Sequence, residues 1–109
     1  MGSMNTTDVK QTIAISSTYT LQKYLGTTAT DIGDAKIKAI QAQSSAADGS
    51  VKIYDATDAT TASTLVFEAK WATASNESFT FYLPQNGIRC KTAMHAVLSN
   101  CDFLVVTFD

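Results

Sequence analysis

Charge is scarce in this chain of 109 residues: eight Lys and Arg and ten Asp and Glu make up 17% of it, for a formal net charge of −2. A nucleic-acid binder carries a basic face and a peripheral membrane protein a basic cluster, so neither role is expected. No apolar run approaches the roughly 18 residues that span a bilayer. The amino terminus lacks the apolar stretch of a signal peptide, and Met1-Gly2-Ser3-Met4, with its second methionine, suggests a cloning scar ahead of a native start. Cysteine occurs twice, as Cys90 and Cys101, without CxxC spacing. Together with His95, the one histidine, they offer three ligands at best where a zinc site takes about four. Glu, Lys, Leu and Arg, the staples of long amphipathic helices, are also few.

What is present is a chain rich in Ser and Thr with 45% hydrophobic residues, near the size of one domain. Apolar residues alternate with polar ones along most of it, as on half-buried strands. Val9, Ile13 and Ile15 share one parity, which Tyr19 and Leu21 continue. Leu25 to Gly33 is polar with two glycines and is expected to be a loop. Asp34 to Ser44 is ambiguous, because Ala35, Ile37, Ala39 and Gln41 alternate while Ile37 and Ile40 also suit one face of a helix. The following Asp48-Gly49 is a hairpin signal, with glycine expected to take the positive φ. Residues 35–44 and 50–55 are therefore expected to pair as a hairpin. Leu65, Phe67, Ala69 and Trp71 form one clear strand face, and Phe79, Phe81 and Leu83 another, which Pro84 ends before the Asn86-Gly87 turn signal. The loops at 56–63 and 72–77 hold small polar residues. Seven to eight short antiparallel strands without a convincing helix predict an all-β domain, a single β-sandwich over residues 5–109. A jelly-roll variant or a partly open barrel fits the same pattern. Residues 5–34 are either part of the sandwich or a docking arm plus first strand.

The carboxy-terminal segment has the most definite register. A two-residue turn at Ser99-Asn100 sets Leu98 against Cys101, Ala96 against Phe103 and Met94 against Val105, with all six facing the core. Cys90 then lies several pairs from Cys101, beyond disulfide reach, so both are expected as buried free thiols. The opposite face carries Val97, Leu104, Val106 and Phe108, an apolar set where a monomeric sandwich normally turns polar. An exposed apolar patch marks an interaction surface, and these four are the candidate interface. The other explanation is that the terminal strand lies centrally between layers or under a loop.

Catalytic templates find few parts. His95 would have to anchor any Ser-His-Asp or Cys-His arrangement, with no nucleophile elbow to select one of ten serines. The acidic pairs Asp31 and Asp34, and Asp55 and Asp58, can hold calcium or share acid–base work, but their loop positions equally suit turn hydrogen bonds. Tyr54, Trp71, Phe81 and Tyr82 could stack on a sugar or pack within the sheets. No enzyme activity and no cofactor is expected.

Three motifs remain: Asp48 to Val51 (DGSV), Leu83 to Ile88 (LPQNGI) and Ala96 to Phe108 (AVLSNCDFLVVTF). In this order they resemble the plan of short β-sandwich proteins encoded by tailed bacteriophages, including phages of marine bacteria. The resemblance covers roughly residues 35–109 and rests on turns and core alternation. It implies a small virion component, a capsid decoration or head accessory protein, and brings no catalytic residues. The expected partners are then other copies of itself, a trimer being favoured, and a phage capsid protein, with the virion as its location. A carbohydrate- or receptor-binding module, presenting the loops at 25–34, 56–63 and 72–77, and a phage modulator of a host protein are the alternatives.

Overall fold

Eleven strands and one short 3₁₀ turn account for nearly all regular structure in the computed structural model, which describes residues 10–72, 77–84 and 87–109. In chain order the strands are β1 (Lys10–Gln11), β2 (Tyr19–Thr20), β3 (Gln22–Leu25), β4 (Thr28–Asp31), β5 (Ala35–Ser44), β6 (Gly49–Tyr54), β7 (Leu65–Trp71), β8 (Ser78–Tyr82), β9 (Ile88–Cys90), β10 (His95–Ser99) and β11 (Cys101–Phe108). Two antiparallel sheets pack face to face as an all-β sandwich. One has the order β1-β11-β5-β8, with β9 also on β5, and the other has the order β2-β10-β6-β7. Val9, Asn86 and most of the 72–77 loop lie outside the described residues. Among the described residues no helix is long and apolar enough to cross a membrane.

The strands expected to form two hairpins instead divide between the sheets. β5 lies in the five-stranded sheet and β6 in the other; β10 lies in the four-stranded sheet and β11 opposite. The linkers, residues 45–48 and Asn100, are therefore corners. They run side by side: Ser45 N–H donates to the Asn100 carbonyl at 2.9 Å, and the Asn100 side-chain amide donates to the Ala47 carbonyl at 2.8 Å. β5–β6 and β10–β11 thus make one two-stranded ribbon that starts in one sheet and finishes in the other. Each corner holds one residue in the left-handed region, Asp48 (φ 57°) and Asn100 (φ 51°), residue types that tolerate it.

Gly49 has a different reason to be glycine from the expected one. Its φ is not positive; it lies opposite Trp71 in the β6–β7 ladder, where a Cβ would collide with the indole ring. That ring stacks on Phe79 across the sandwich at 5.4 Å and donates its Nε1–H to the Ala46 carbonyl. One glycine therefore lets an aromatic side chain lie flat over a backbone corner and satisfies its polar atom at the same time.

A register shift at Val66 of β7 leaves Leu65 exposed and packs Val66 against the core. Two irregularities in the β5–β11 ladder decide which of its side chains face inward. Lys38 is an extra residue in β5, since Phe108 pairs with Ile37 while Thr107 pairs with Ala39. A bulge of this kind reverses parity, so Ile37 and Ile40 are both fully buried. This explains the helix-like spacing. The second is Asp102, extra between Cys101 opposite Ser44 and Phe103 opposite Gln43. Beyond it the even residues Leu104, Val106 and Phe108 point into the core, and Phe103 and Val105 point out. The candidate interface residues Leu104, Val106 and Phe108 are thus core residues, and β11 is central in its sheet.

The amino-terminal segment is part of the sandwich from Lys10 onward. β1 pairs with β11, Thr12 exchanges hydrogen bonds with Val106, Ile15 bridges Leu104, and β2 pairs with β10. Leu21 and Ile32 are buried in the common core. The expected loop at 25–33 is largely a hairpin, β3–β4, turning at Gly26 (φ 67°). Its tip exposes Tyr24 and Leu25.

Candidate functional site

Each acidic side chain singled out in the sequence has a structural partner. Asp34 takes a bidentate pair from Arg89, Nε at 3.0 Å and Nη2 at 2.7 Å, and that guanidinium lowers its pKa below the usual carboxylate range. Asp31 accepts from the Gln22 amide at 2.9 Å. Asp58 accepts from both the backbone N–H and the hydroxyl of Thr60, which close an Asx turn and lower its pKa. Asp55 is the most enclosed. Burial raises its pKa, but the backbone N–H groups of Thr92, Lys91 and Ala93 outweigh this and hold the carboxyl below its ordinary value. Its Oδ1 lies 2.8 Å from the Thr92 nitrogen, so this carboxylate locks the β6–β7 connection to the β9–β10 connection.

The remaining reactive groups are likewise built in. His95 Nδ1 lies 2.9 Å from the Thr20 hydroxyl, which reaches the Thr57 carbonyl at 3.3 Å; the imidazole ties β10 to β2 and to the 55–64 loop. Cys90 and Cys101 are buried free thiols, as expected. Burial, with a smaller contribution from the Asp55 charge, pushes the Cys90 thiol up to about 12. Burial also raises the Cys101 thiol, whose Sγ contacts the Phe103 carbonyl at 3.2 Å. The pair cannot approach, for a reason other than the expected register. Cys90 pairs with Ala35 and Cys101 with Ser44, at opposite ends of β5, about 30 Å apart at a strand's rise of about 3.3 Å per residue. Among the described residues no three His, Cys, Asp or Glu side chains gather where they could hold a metal ion.

The four candidate interface residues are not brought together. Val97 sits half-buried on the outer face of the four-stranded sheet beside Lys52, while Leu104, Val106 and Phe108 fill the core from the other sheet. Of the four aromatics considered for sugar stacking, Trp71 is buried, Phe81 packs against the core, and Tyr54 is half-buried. Tyr82 alone stands free, 82% exposed.

A different surface emerges around Tyr82. On the outer face of the five-stranded sheet, β8 presents Ser78, Thr80 and Tyr82; β5 presents Ala39, Gln41 and Gln43; β11 presents Phe103, Val105 and Thr107. These residues lie in register across three strands and none is charged. Charged residues border it at its ends, Asp102 beside Phe103 at one and Lys38 at the other, beyond which Lys36 pairs with Arg89. The other sheet's outer face differs: Glu68 lies 4.0 Å from Lys52 and 3.6 Å from Lys70. Sequence alternation alone could not find the uncharged face, because it assigns Phe103 and Val105 inward until Asp102 is recognised as an extra residue.

No family model, curated protein or solved structure matches this chain.

Proposed function

We propose that the chain is a non-enzymatic structural protein of a phage virion, a capsid decoration or head accessory protein, working through protein–protein contact. The observation that carries this reading is the uncharged outer face of the five-stranded sheet, with Tyr82 exposed and Phe103 and Val105 half-exposed among Gln, Thr, Ser and Ala. Such a face loses little on dehydration and has no charge to bury, so it suits a flat protein partner. The virion assignment comes from the resemblance of the DGSV, LPQNGI and AVLSNCDFLVVTF segments. With one free aromatic in place of four, the surface suits protein better than sugar.

The test is binding to particles. Heads of a phage that encodes this chain, prepared without it, are mixed with the wild type and with Val105→Lys, and bound protein is measured after sedimentation. Wild type is expected to bind saturably, and Val105→Lys to bind roughly tenfold more weakly, a loss of about 1.4 kcal/mol, with an unchanged melting temperature. Absence of the chain from virions, or equal binding by the variant, would overturn the proposal.

A further inference from the structure

The two sheets end in very different edge strands on the same side of the sandwich, where Phe67 of β7 meets Phe81 of β8 at 5.6 Å and Trp71 meets Phe79. An edge strand exposes unpaired N–H and C=O groups, and proteins commonly protect it with charge, bulges or proline. β7 carries two such devices: Glu68 and Lys70 stand on it, and its ladder with β6 is irregular beside Val66, between the Ile53 and Tyr54 pairings. β8 carries neither. Its residues are Ser-Phe-Thr-Phe-Tyr, without charge or proline and in unbroken register with β5 from Ser78 to Tyr82. Among the described residues β8 has a ladder partner on one side only.

The outward groups of β8 follow from its inward bonds. Leu83 N–H donates to the Lys38 carbonyl, and the Glu77 carbonyl accepts from Ser44 N–H, so the odd residues of this segment point to β5. By alternation Ser78, Thr80 and Tyr82 point their N–H and C=O groups away from the sheet. This set is symmetric about Thr80, and so is the flanking Phe79-Thr80-Phe81 sequence. We propose that β8 pairs antiparallel with β8 of a second copy of this chain, about a two-fold axis at Thr80, joining two five-stranded sheets into one. In this register Thr80 faces its own copy, Ser78 faces Tyr82, and Phe79 faces Phe81. All six outward backbone groups on each chain are used. An axis placed between Thr80 and either neighbour would set these groups against the partner's inward-facing ones. An axis at Phe79 or Phe81 would leave Tyr82 or Ser78, respectively, without an opposite number in the strand. Aromatic pairs and a Thr–Thr pair are among the favourable cross-strand neighbours, and no like charges meet. The contact is isologous, so it closes at two copies. It stands apart from the virion assignment, because it concerns the strand's edge and requires no phage partner.

The experiment is native mass by light scattering and sedimentation equilibrium, with three variants of the full chain. Wild type is expected to be dimeric. Thr80→Pro removes an N–H that β5 does not use, and Thr80→Lys sets like charges face to face. Each is expected to raise the dimer dissociation constant roughly a hundredfold or more, while the monomer keeps a cooperative melt that no longer depends on protein concentration. Thr80→Cys is expected to form an intermolecular disulfide on mild oxidation, since directly opposed strand residues lie about 5.5 Å apart. Gln41→Cys, on the same face but away from the edge, is expected to stay monomeric on non-reducing gels. A monomeric or trimeric wild type, an oligomer unaffected by both Thr80→Pro and Thr80→Lys, or equal cross-linking through Gln41→Cys would each overturn the proposal. Should the proline variant fail to fold, the lysine variant and the cross-linking pair still decide.

Discussion

Phe103 and Leu104 are neighbours in β11, both large and apolar, yet they occupy opposite situations. Leu104 is sealed between the sheets with Val106 and Phe108, while Phe103 and Val105 stand half-exposed on the outer sheet face. The inner face is enclosed between the sheets, with Leu104 and Val106 fully buried. The outer face is apolar without being enclosed, and it continues sideways into the neutral surface of β5 and β8. Apolarity on both sides of a central strand is thus one stability feature and one contact feature, separated by a single extra residue, Asp102.

The largest effect that could break this contrast is a charge placed on each side. Leu104→Glu is expected to unfold the domain, because an unpaired buried charge costs several kcal/mol against a total stability of about 5–15 kcal/mol. Phe103→Glu is expected to leave a cooperative fold with a loss of about 1 kcal/mol, since only part of its ring leaves a buried environment. Circular dichroism melts of the two variants measure this, and the reverse ranking would place the bulge elsewhere.

Gly49→Ala tests how full the inner side is. The added methyl meets the Trp71 ring, which is also fixed by its Nε1–H bond and its stack on Phe79. A destabilisation of about 1–3 kcal/mol is expected in urea unfolding, with a change in Trp71 fluorescence. Ala39→Val on the outer face, a gain in strand propensity at a half-buried position, is expected to be neutral or mildly stabilising.

The smallest effects come from the carboxylates, which repeat the contrast between enclosed and open groups. Removing the Asp55 side chain frees the amides of Thr92 and Ala93 and is expected to cost about 1–2 kcal/mol. Removing Asp34, whose pair with Arg89 lies in solvent, is expected to change stability less. Both carboxyls are held below their unfolded value of 3.8. Their stabilisation is therefore complete above that pH and is lost as pH falls through the lower folded values. Acid unfolding of Asp55→Asn is expected to begin less steeply below about pH 4 than that of the wild type, with Asp34→Asn closer to wild type.

Much of this contrast was legible in the residues, and its failures have a common origin. Alternation located β8 and the Phe67 to Trp71 part of β7 with their inward sides, though Leu65, grouped with that face, lies exposed because Val66 is an extra residue. Composition pointed to two buried free thiols in an all-β chain. What alternation cannot register is an extra residue. Lys38 made Ile37 and Ile40 resemble a helix face, and Asp102 exchanged inside for outside along β11. Asp48-Gly49 and Ser99-Asn100 carry good turn chemistry, but the same left-handed residue serves a hairpin or a corner between sheets, and only the pairing of the two corners distinguishes them. Leu25 to Gly33 was hidden for another reason: a hairpin that projects has polar residues on both faces, so its strands lack the apolar stripe.

The sidedness of β11 underlies both the fold and the proposed contact surface, and one labelling experiment addresses it. Val105→Cys and Val106→Cys, each in the folded protein at neutral pH, are treated with a maleimide and the added mass is followed over time. Cys90 and Cys101, both buried, serve as internal controls expected to react slowly. Rapid single labelling of Val105→Cys, with Val106→Cys as slow as the native thiols, is the predicted result. Rapid labelling of Val106→Cys with a silent Val105→Cys would contradict the account and return Leu104, Val106 and Phe108 to the surface.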